Sequence, residues 1–379
     1  SNFQQISATV SIQNINQQNS TPAFTDYDVI IAGGGTSGIA SSIQMKRGGL
    51  KVLIIEETDW LGGQMTAAGV STMDEGLKEL ERENGLYAEF ASRIKQYYQS
   101  IGKSVNTCYS GIETLCFEPN VGFRILVDMI NSENQVSNGG RIDISFRTKI
   151  ISVNKNGNTV TGVVTSKGSF NSKILIDATE YGDILPLAGI PYRVGNGTNT
   201  SPNANSCIQD ITYTAIVKKY SSGVPSNLKI TTKPPFYDED APSFRAVVAS
   251  SEVTNKTGRY PVSFEEHNAY RGTPDSSIMG SYDLAVPGQR ALISKTGLNW
   301  ANDYPAKFTY TSTNPATEPR LTTKYIEDKD YRKAQNCRAK IETLNFIYYV
   351  QNELGFVDWS VANDEGYNTA YNIEENLCE

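Results

Sequence analysis

A single histidine, His267, serves the whole 379-residue chain. That scarcity removes most zinc chemistry and most Ser-His or Cys-His nucleophile schemes, each of which needs a well-placed imidazole. One histidine could still act as a base, but its neighbours Glu265, Glu266 and Asn268 are polar, and the segment reads as a solvated loop. Five cysteines (Cys108, Cys116, Cys207, Cys337, Cys378) include no C-x-x-C and no metal-ligand spacing, so no metal site is expected. Cys108 and Cys116 bracket a Tyr-Ser-Gly turn and read equally well as a local disulfide of an exported protein or as two thiols. The odd total leaves at least one cysteine unpaired within the chain. Basic charge is also short, with 34 Lys and Arg against 41 Asp and Glu and a net charge of -7, a balance that repels nucleic acid. No apolar run approaches the ~18 residues of a membrane span. The first residue is Ser1, and residues 1–25 are rich in Gln, Asn, Ser and Thr without an apolar h-region. This suits a removed signal peptide or a trimmed chain, and the composition leans towards export.

What is present is an ordinary globular composition long enough for two domains, because single hydrophobic cores stop growing at roughly 250 to 300 residues. No internal repeat interrupts it. After the polar arm (1–25), the apolar run 28–32 ends in a glycine cluster and suits a strand buried on both faces. Residues 36–46 read as a helix and 51–56 as a second buried strand, a βαβ unit of about thirty residues. Helical spacing returns over 86–101 and 121–130. Alternating segments at 142–146, 149–153, 159–165 and 173–178 then form a β-meander returning to a buried strand. Residues 191–325 are rich in Pro, Thr and Tyr with little helical periodicity, and are expected to form a β-rich, substrate-facing lid. A strong helical pattern follows over 331–354. The expected domains are therefore a dinucleotide-binding domain (26–190), the β-rich domain (191–325) and a helical return (326–379).

The glycine cluster carries chemistry. Gly33, Gly35 and Gly38 give G-x-G-x-x-G directly after a strand and at the start of a helix, with Thr36 and Ser37 between. Gly33 makes the tight turn, Gly35 lets the backbone approach a pyrophosphate, and Gly38 lets helix and strand pack closely. The helix N-terminus then offers N–H groups and dipole to the diphosphate. Glu56 closes the second strand 23 residues after Gly33, where a carboxylate can accept from ribose hydroxyls and disfavours a 2′-phosphate. That spacing admits FAD or NAD.

Six residues on stand Gly62, Gly63, Gln64 and Met65, a doublet that resembles the second FAD motif of the glutathione-reductase-like flavoprotein superfamily. Ala178, Thr179 and Glu180, followed by Tyr181, Gly182 and Asp183, resemble that superfamily's A-T-G segment, with Glu180 where glycine is usual. Together with the stretch 64–74 that follows the doublet, Glu118-Pro119 and the segment 298–304, these motifs resemble a bacterial family of FAD-dependent oxidoreductases over residues 26 to about 370. The resemblance implies an α/β fold, an FAD/NAD(P)-binding Rossmann-like parallel sheet with a β-meander plus a β-rich substrate domain. It also implies FAD as cofactor, contacts from the doublet and from Glu56 and Glu57, and passage of Ile150 past the adenine. A third FAD motif, a buried strand ending in Gly-Asp, is usual near the C-terminus of such proteins and is absent here. The expectation is a chain cut before that motif, so that either a second polypeptide completes the flavin site or FAD is weakly held with its ribityl side exposed.

Absences narrow the flavin chemistry. No cysteine lies between Gly63 and Cys108, which disfavours disulfide reduction. The segment 195–200 lacks the third glycine of a second dinucleotide fingerprint, which disfavours a bound nicotinamide. Hydride transfer between a small-molecule substrate and flavin N5, with oxygen, a quinone or another carrier as acceptor, is the remaining reading. Asp303 and Tyr304 are the candidates for acid–base work. A flavin isomerase or hydratase, or a binding module that keeps the fold without the flavin, would share these motifs.

Overall fold

The computed structural model describes residues 22–75, 84–111, 114–194, 208–254, 263–305 and 320–366. A continuous apolar run builds a first strand, β1 (Asp26–Ala32), which the glycine turn joins to helix α1 (Thr36–Arg47) and strand β2 (Lys51–Ile55). Helices α2 (Gly85–Ser100) and α3 (Pro119–Gln135) follow. Pro119 opens α3 at its first turn, where the missing N–H would have had no intrahelical partner. Strands β3 (Arg141–Ser145), β4 (Ile150–Asn156), β5 (Thr159–Thr165) and β6 (Gly168–Asp177) complete a six-stranded sheet of order β3-β2-β1-β6-β5-β4.

The first four strands of that order run parallel and the meander β4-β5-β6 is antiparallel. Strand β6 serves both, pairing β5 through residues 168–171 and β1 through residues 171–177. Strand periodicity sends Val29, Ile31, Val52 and Ile54 to one face, where they meet Ile39, Ile43, Phe90, Ile94 and Leu126. Ile30, Ala32, Leu53 and Ile55 face the other way, against Ile150, Val163, Phe170 and Ile184. Both faces of the parallel strands are thus covered, as continuous apolar runs require. Ile184 belongs to a short helix, α4 (Ile184–Ala188).

A second body has its own core. Strands β7 (Ile211–Thr212) and β8 (Ala215–Lys219) come first, then helices α5 (Tyr237–Thr254) and α6 (Phe264–Arg271), strands β9 (Lys295–Leu298) and β10 (Asp303–Tyr304), helices α7 (Lys324–Glu327) and α8 (Lys329–Asn352), and strand β11 (Trp359–Val361). β11, β8 and β9 form a three-stranded antiparallel sheet, and β7 pairs β10. The core gathers Val217, Phe244, Phe264, Leu298, Phe346 and Trp359.

Two expectations need correction here. Residues 191–325, expected to carry little helical periodicity, contain α5 and α6 beside the strands β7 to β10. Pro242 inside α5 and the brevity of α6 hide the 3.6-residue pattern, while Ser263 caps α6 by accepting from the Glu266 N–H at 3.2 Å. His267 is not a solvated loop residue. It lies on α6 at 1% exposure, stacked between Phe264 and Trp300. The open choice at Cys108 and Cys116 resolves as a disulfide, and Cys337 is disulfide-bonded too. Among the described residues no helix is long and apolar enough to cross a membrane.

Candidate nucleotide and substrate site

The turn between β1 and α1 can be built only without side chains. Gly33 has φ +96°, and a Cβ there would stand 2.3 Å from the Ala178 carbonyl oxygen. At Gly38 a Cβ would stand 2.1 Å from the Gly33 oxygen. Gly35 is the N-cap of α1 and supplies no side-chain cap, and Thr36 and Ser37 are exposed. The first-turn N–H groups therefore face outward with the positive end of the helix dipole, an arrangement made for an anion. Glu56 ends β2 one strand away. Its Oε2 accepts from the Gly34 N–H at 2.7 Å and its Oε1 from the Thr58 N–H at 2.8 Å. These bonds fix the carboxylate, and each oxygen keeps a lone pair for a ribose hydroxyl.

The doublet lies against the same turn. Gly62 and Gly63 both adopt positive φ, at +109° and +52°, and the Gly62 N–H donates to the Gly34 oxygen at 2.8 Å. A Cβ on Gly63 would come within 3.1 Å of the Gly35 Cα and 2.8 Å of Glu180 Oε1. The Glu180 carboxylate thus lies across the glycines of both motifs, and its side chain is exposed and free to swing towards solvent.

A cavity of about 630 Å³ runs from this turn in both directions. Gly33, Gly35, Glu56, Glu57, Gly63, Gln64, Ile150, Ala178, Thr179 and Glu180, all singled out from sequence, line it. Gly38 and Gly62 stand behind the wall as backbone spacers, Thr36 and Ser37 sit on the first turn of α1, and Met65 packs on the first core. Sequence reasoning missed Thr148 beside Ile150, and Ala67 and Ala68 beyond the doublet. It also missed Ile211, Thr212, Tyr213 and Thr214, which arrive from the second body. Proximity to a motif could have flagged the first group; no local pattern marks the second.

Asp303 and Tyr304 do not line the cavity. Strand β10 pairs with β7, so Asp303 accepts from Thr212 Oγ1 and the Tyr304 hydroxyl is spent on Gln335 Oε1 at 2.8 Å. Their neighbours in β7 reach the cavity instead.

The donor set fits a dinucleotide: an uncapped helix N-terminus, a Cβ-free turn and a carboxylate fixed at the end of β2 share one cavity of suitable size. Outside the cavity's lining, the chain holds a buried ionic cluster. Lys295, on β9, places Nζ 2.5 Å from Glu118, 2.8 Å from Asp364, 3.4 Å from Glu365 and 3.7 Å from Asp275. The four acids hold its ammonium well above the ordinary lysine range against the opposing desolvation, and burial pushes the Glu365 carboxyl up to about 8. Oxygens of Glu118, Asp275 and Asp364 lie within 4.8 Å of one another, but Lys295 already supplies the cation between them.

The family model described as "FAD dependent oxidoreductase" matches residues 28–372. No curated protein matches the chain. Solved structures similar to it include L-proline dehydrogenase from P. horikoshii, at 12% identity and TM-score 0.33, over 52% of this chain and 62% of that one. Glycine oxidase from Bacillus cereus is similar at 15% identity and TM-score 0.30, over 52% and 63%. L-amino acid deaminase from Proteus vulgaris is similar at 10% identity and TM-score 0.34, over 53% and 56%. The chain therefore matches less than two thirds of the length of each of these structures.

Proposed function

The chain belongs to the FAD dependent oxidoreductase family, and from that premise we propose that it holds FAD in the cavity at the β1–α1 turn and transfers a hydride between a small organic substrate and flavin N5. The observation that carries the reading is the uncapped N-terminus of α1 opening into the same cavity as Glu56 and the glycine doublet. Glu56 and Glu57 would face the adenosine ribose, with Thr148 and Ile150 beside the adenine. Gly33 to Ser37 and Gly63 would receive the diphosphate, with Glu180 displaced towards solvent. Gln64, Ala67 and Ala68 on one side and Ile211 to Thr214 on the other would enclose the ring end and exclude water from it. Bound flavin supplies the hydride acceptor or donor, and the chain supplies orientation and charge.

The order β3-β2-β1-β6 with its meander supports the glutathione-reductase-like superfamily for the domain at 26–190, with 191–325 as the substrate-facing part. The acceptor is oxygen, a quinone or another carrier. A second polypeptide completing the site has a place to dock, since residues 172–177 of β6 pair only with β1 among the described residues. The Cys108–Cys116 disulfide supports export, because such bonds persist in oxidising compartments. The absorbance spectrum of the purified protein tests the core of this reading. An oxidised-flavin spectrum that bleaches anaerobically with a member of a panel of alcohols, amines and unsaturated acids is the expected result. A protein that takes up no FAD from a titration would overturn it.

A further inference from the structure

The ionic cluster where the two bodies meet holds more acid than base. Glu118 comes from the first body, just ahead of α3. From the second come Lys218 on β8, Asp275 after α6, Lys295 on β9, and Asp364 and Glu365 after β11. Four carboxyl groups thus share two ammonium groups, and of these six side chains only Asp364 is more than a tenth exposed. Lys103, on the loop after α2, is felt by Asp275 and Glu118, but its ammonium donates to the carbonyls of Ile278 and Gly280. The phenols of Tyr98, Tyr220 and Tyr282 also face the cluster; burial holds all three above their ordinary range, so they stay neutral. A surplus of negative charge in a dry interior is costly, and a buried acid relieves it by keeping its proton.

The partners of each acid decide which one keeps it. Glu118 has Lys295 at 2.5 Å, the Tyr98 hydroxyl at 2.9 Å, and both the N–H and the hydroxyl of Ser276. Asp275 accepts from the Ser277 N–H at 3.0 Å and from the hydroxyls of Ser277 and Ser294 at 2.5 and 2.7 Å. Asp364 lies between two cations, Lys295 at 2.8 Å and Lys218 at 3.1 Å. Glu365 has the least support for a charge: one backbone N–H, that of Asn120 at 2.8 Å, and Lys295 no nearer than 3.4 Å. Burial and the charges of Glu118 and Asp364 favour its neutral form, and they outweigh the pull of Lys295 and the Asn120 N–H.

We propose that Glu365 is a proton-held latch between the two bodies: protonated at neutral pH, it brings the cluster nearer to charge balance and keeps the turn 363–366 seated on α3, and its ionisation in alkaline solution loosens that seat. The seat itself is specific. Glu365 accepts from the Asn120 N–H, and the Asn120 side chain donates back to the Asp364 carbonyl at 3.0 Å. Each body therefore holds the other through the first turn of α3. The sign of the pH effect follows from linkage. A carboxyl that binds its proton more tightly in the folded chain stabilises that chain fully below its unfolded pKa of 4.5, and the stabilisation is lost as pH rises towards about 8. This is opposite in direction to the effect of His267, whose unfolded pKa of 6.5 puts it below the alkaline part of the window.

The test compares denaturant unfolding of the full chain at pH 6.5 and pH 8.5 in the parent and in Glu365→Gln, which fixes the charge of the protonated form. Across that interval the unfolding constant of the parent should rise about 10- to 50-fold more than that of the variant. An equal rise in the two would overturn the proposal. Infrared spectroscopy reads the proton directly and needs only the parent: the carbonyl band of a protonated carboxylic acid should be present at pH 6.5 and vanish reversibly as the pH passes 8. In a folded Glu365→Gln the band should be missing at both values. Glu118→Gln removes a neighbouring negative charge and should move the loss of the band to lower pH. A parent without the band at pH 6.5, or a band that survives in folded Glu365→Gln, would place the proton elsewhere and end the latch.

Discussion

Glu56 has both carboxylate oxygens held by backbone N–H groups before any ligand arrives, so its orientation costs nothing further on binding. Replacing it with alanine frees the Gly34 and Thr58 N–H groups and, in the proposed binding mode, removes charge-assisted bonds to the ribose. FAD retention should weaken by about 1 to 3 kcal/mol, read as a 5- to 150-fold rise in Kd by flavin fluorescence titration. Unchanged affinity would remove Glu56 from the site. His267 acts on stability rather than chemistry. Burial, aided by the charge of Arg271, lowers its pKa to about 3. The unfolded chain takes up a proton near pH 6.5 and the folded chain does not until near pH 3, so stability falls as pH drops through that window. The expected slope from this group is about 1.4 kcal/mol per pH unit. Urea unfolding at pH 7 and pH 5 should show that contribution in the parent and its disappearance in His267→Gln. Equal acid sensitivity in the two proteins would refute it.

At the scale of elements, the β1–α1 pair works because helix and strand touch at Gly38. Its missing Cβ is replaced by the Gly33 oxygen, a backbone atom that cannot move without reopening the turn. Gly38→Ala should push α1 away from β1 and spoil the diphosphate turn, while the apolar faces of α1 and β1 keep the domain folded. The expected outcome is a loss of FAD affinity of at least tenfold, larger than any accompanying shift in unfolding midpoint would explain. A variant that binds FAD normally would mean that the helix has slack the structure does not show.

Across the whole molecule, the ionic cluster ties the two bodies together. Glu118 precedes α3 of the first body, Lys295 sits on β9 of the second, and Asp364 and Glu365 follow β11. Tyr98 donates to Glu118 Oε2 at 2.9 Å, and the Glu118 N–H donates back to the Tyr98 hydroxyl at 2.8 Å, anchoring the cluster to α2. Lys295 is fully buried among these acids, so Lys295→Met leaves the buried Glu118 and Glu365 without their cation, while Asp275 and Asp364 keep Lys218 at 3.8 and 3.1 Å. Destabilisation of about 3 to 5 kcal/mol is expected, seen in denaturant unfolding as a lower midpoint or as separate transitions for the two bodies. A variant as stable as the parent would show that the cluster does not couple them.

Local chemistry decided much of this protein. Glycine positions, strand alternation and the acid at Glu56 are short-range signals whose meaning does not depend on distant residues, and they specified the βαβ unit and the meander, while the family resemblance supplied most of the ten lining residues named from sequence. Tertiary structure decided the rest, because it depends on which distant segments meet. β10 pairing with β7 turns Asp303 and Tyr304 away and brings Thr212 and Tyr213 in. His267 looked solvated beside two glutamates and an asparagine, but one face of α6 turned it into the core between Phe264 and Trp300. In each case the sequence showed what a side chain can do, and only the packing of distant segments set what it faces.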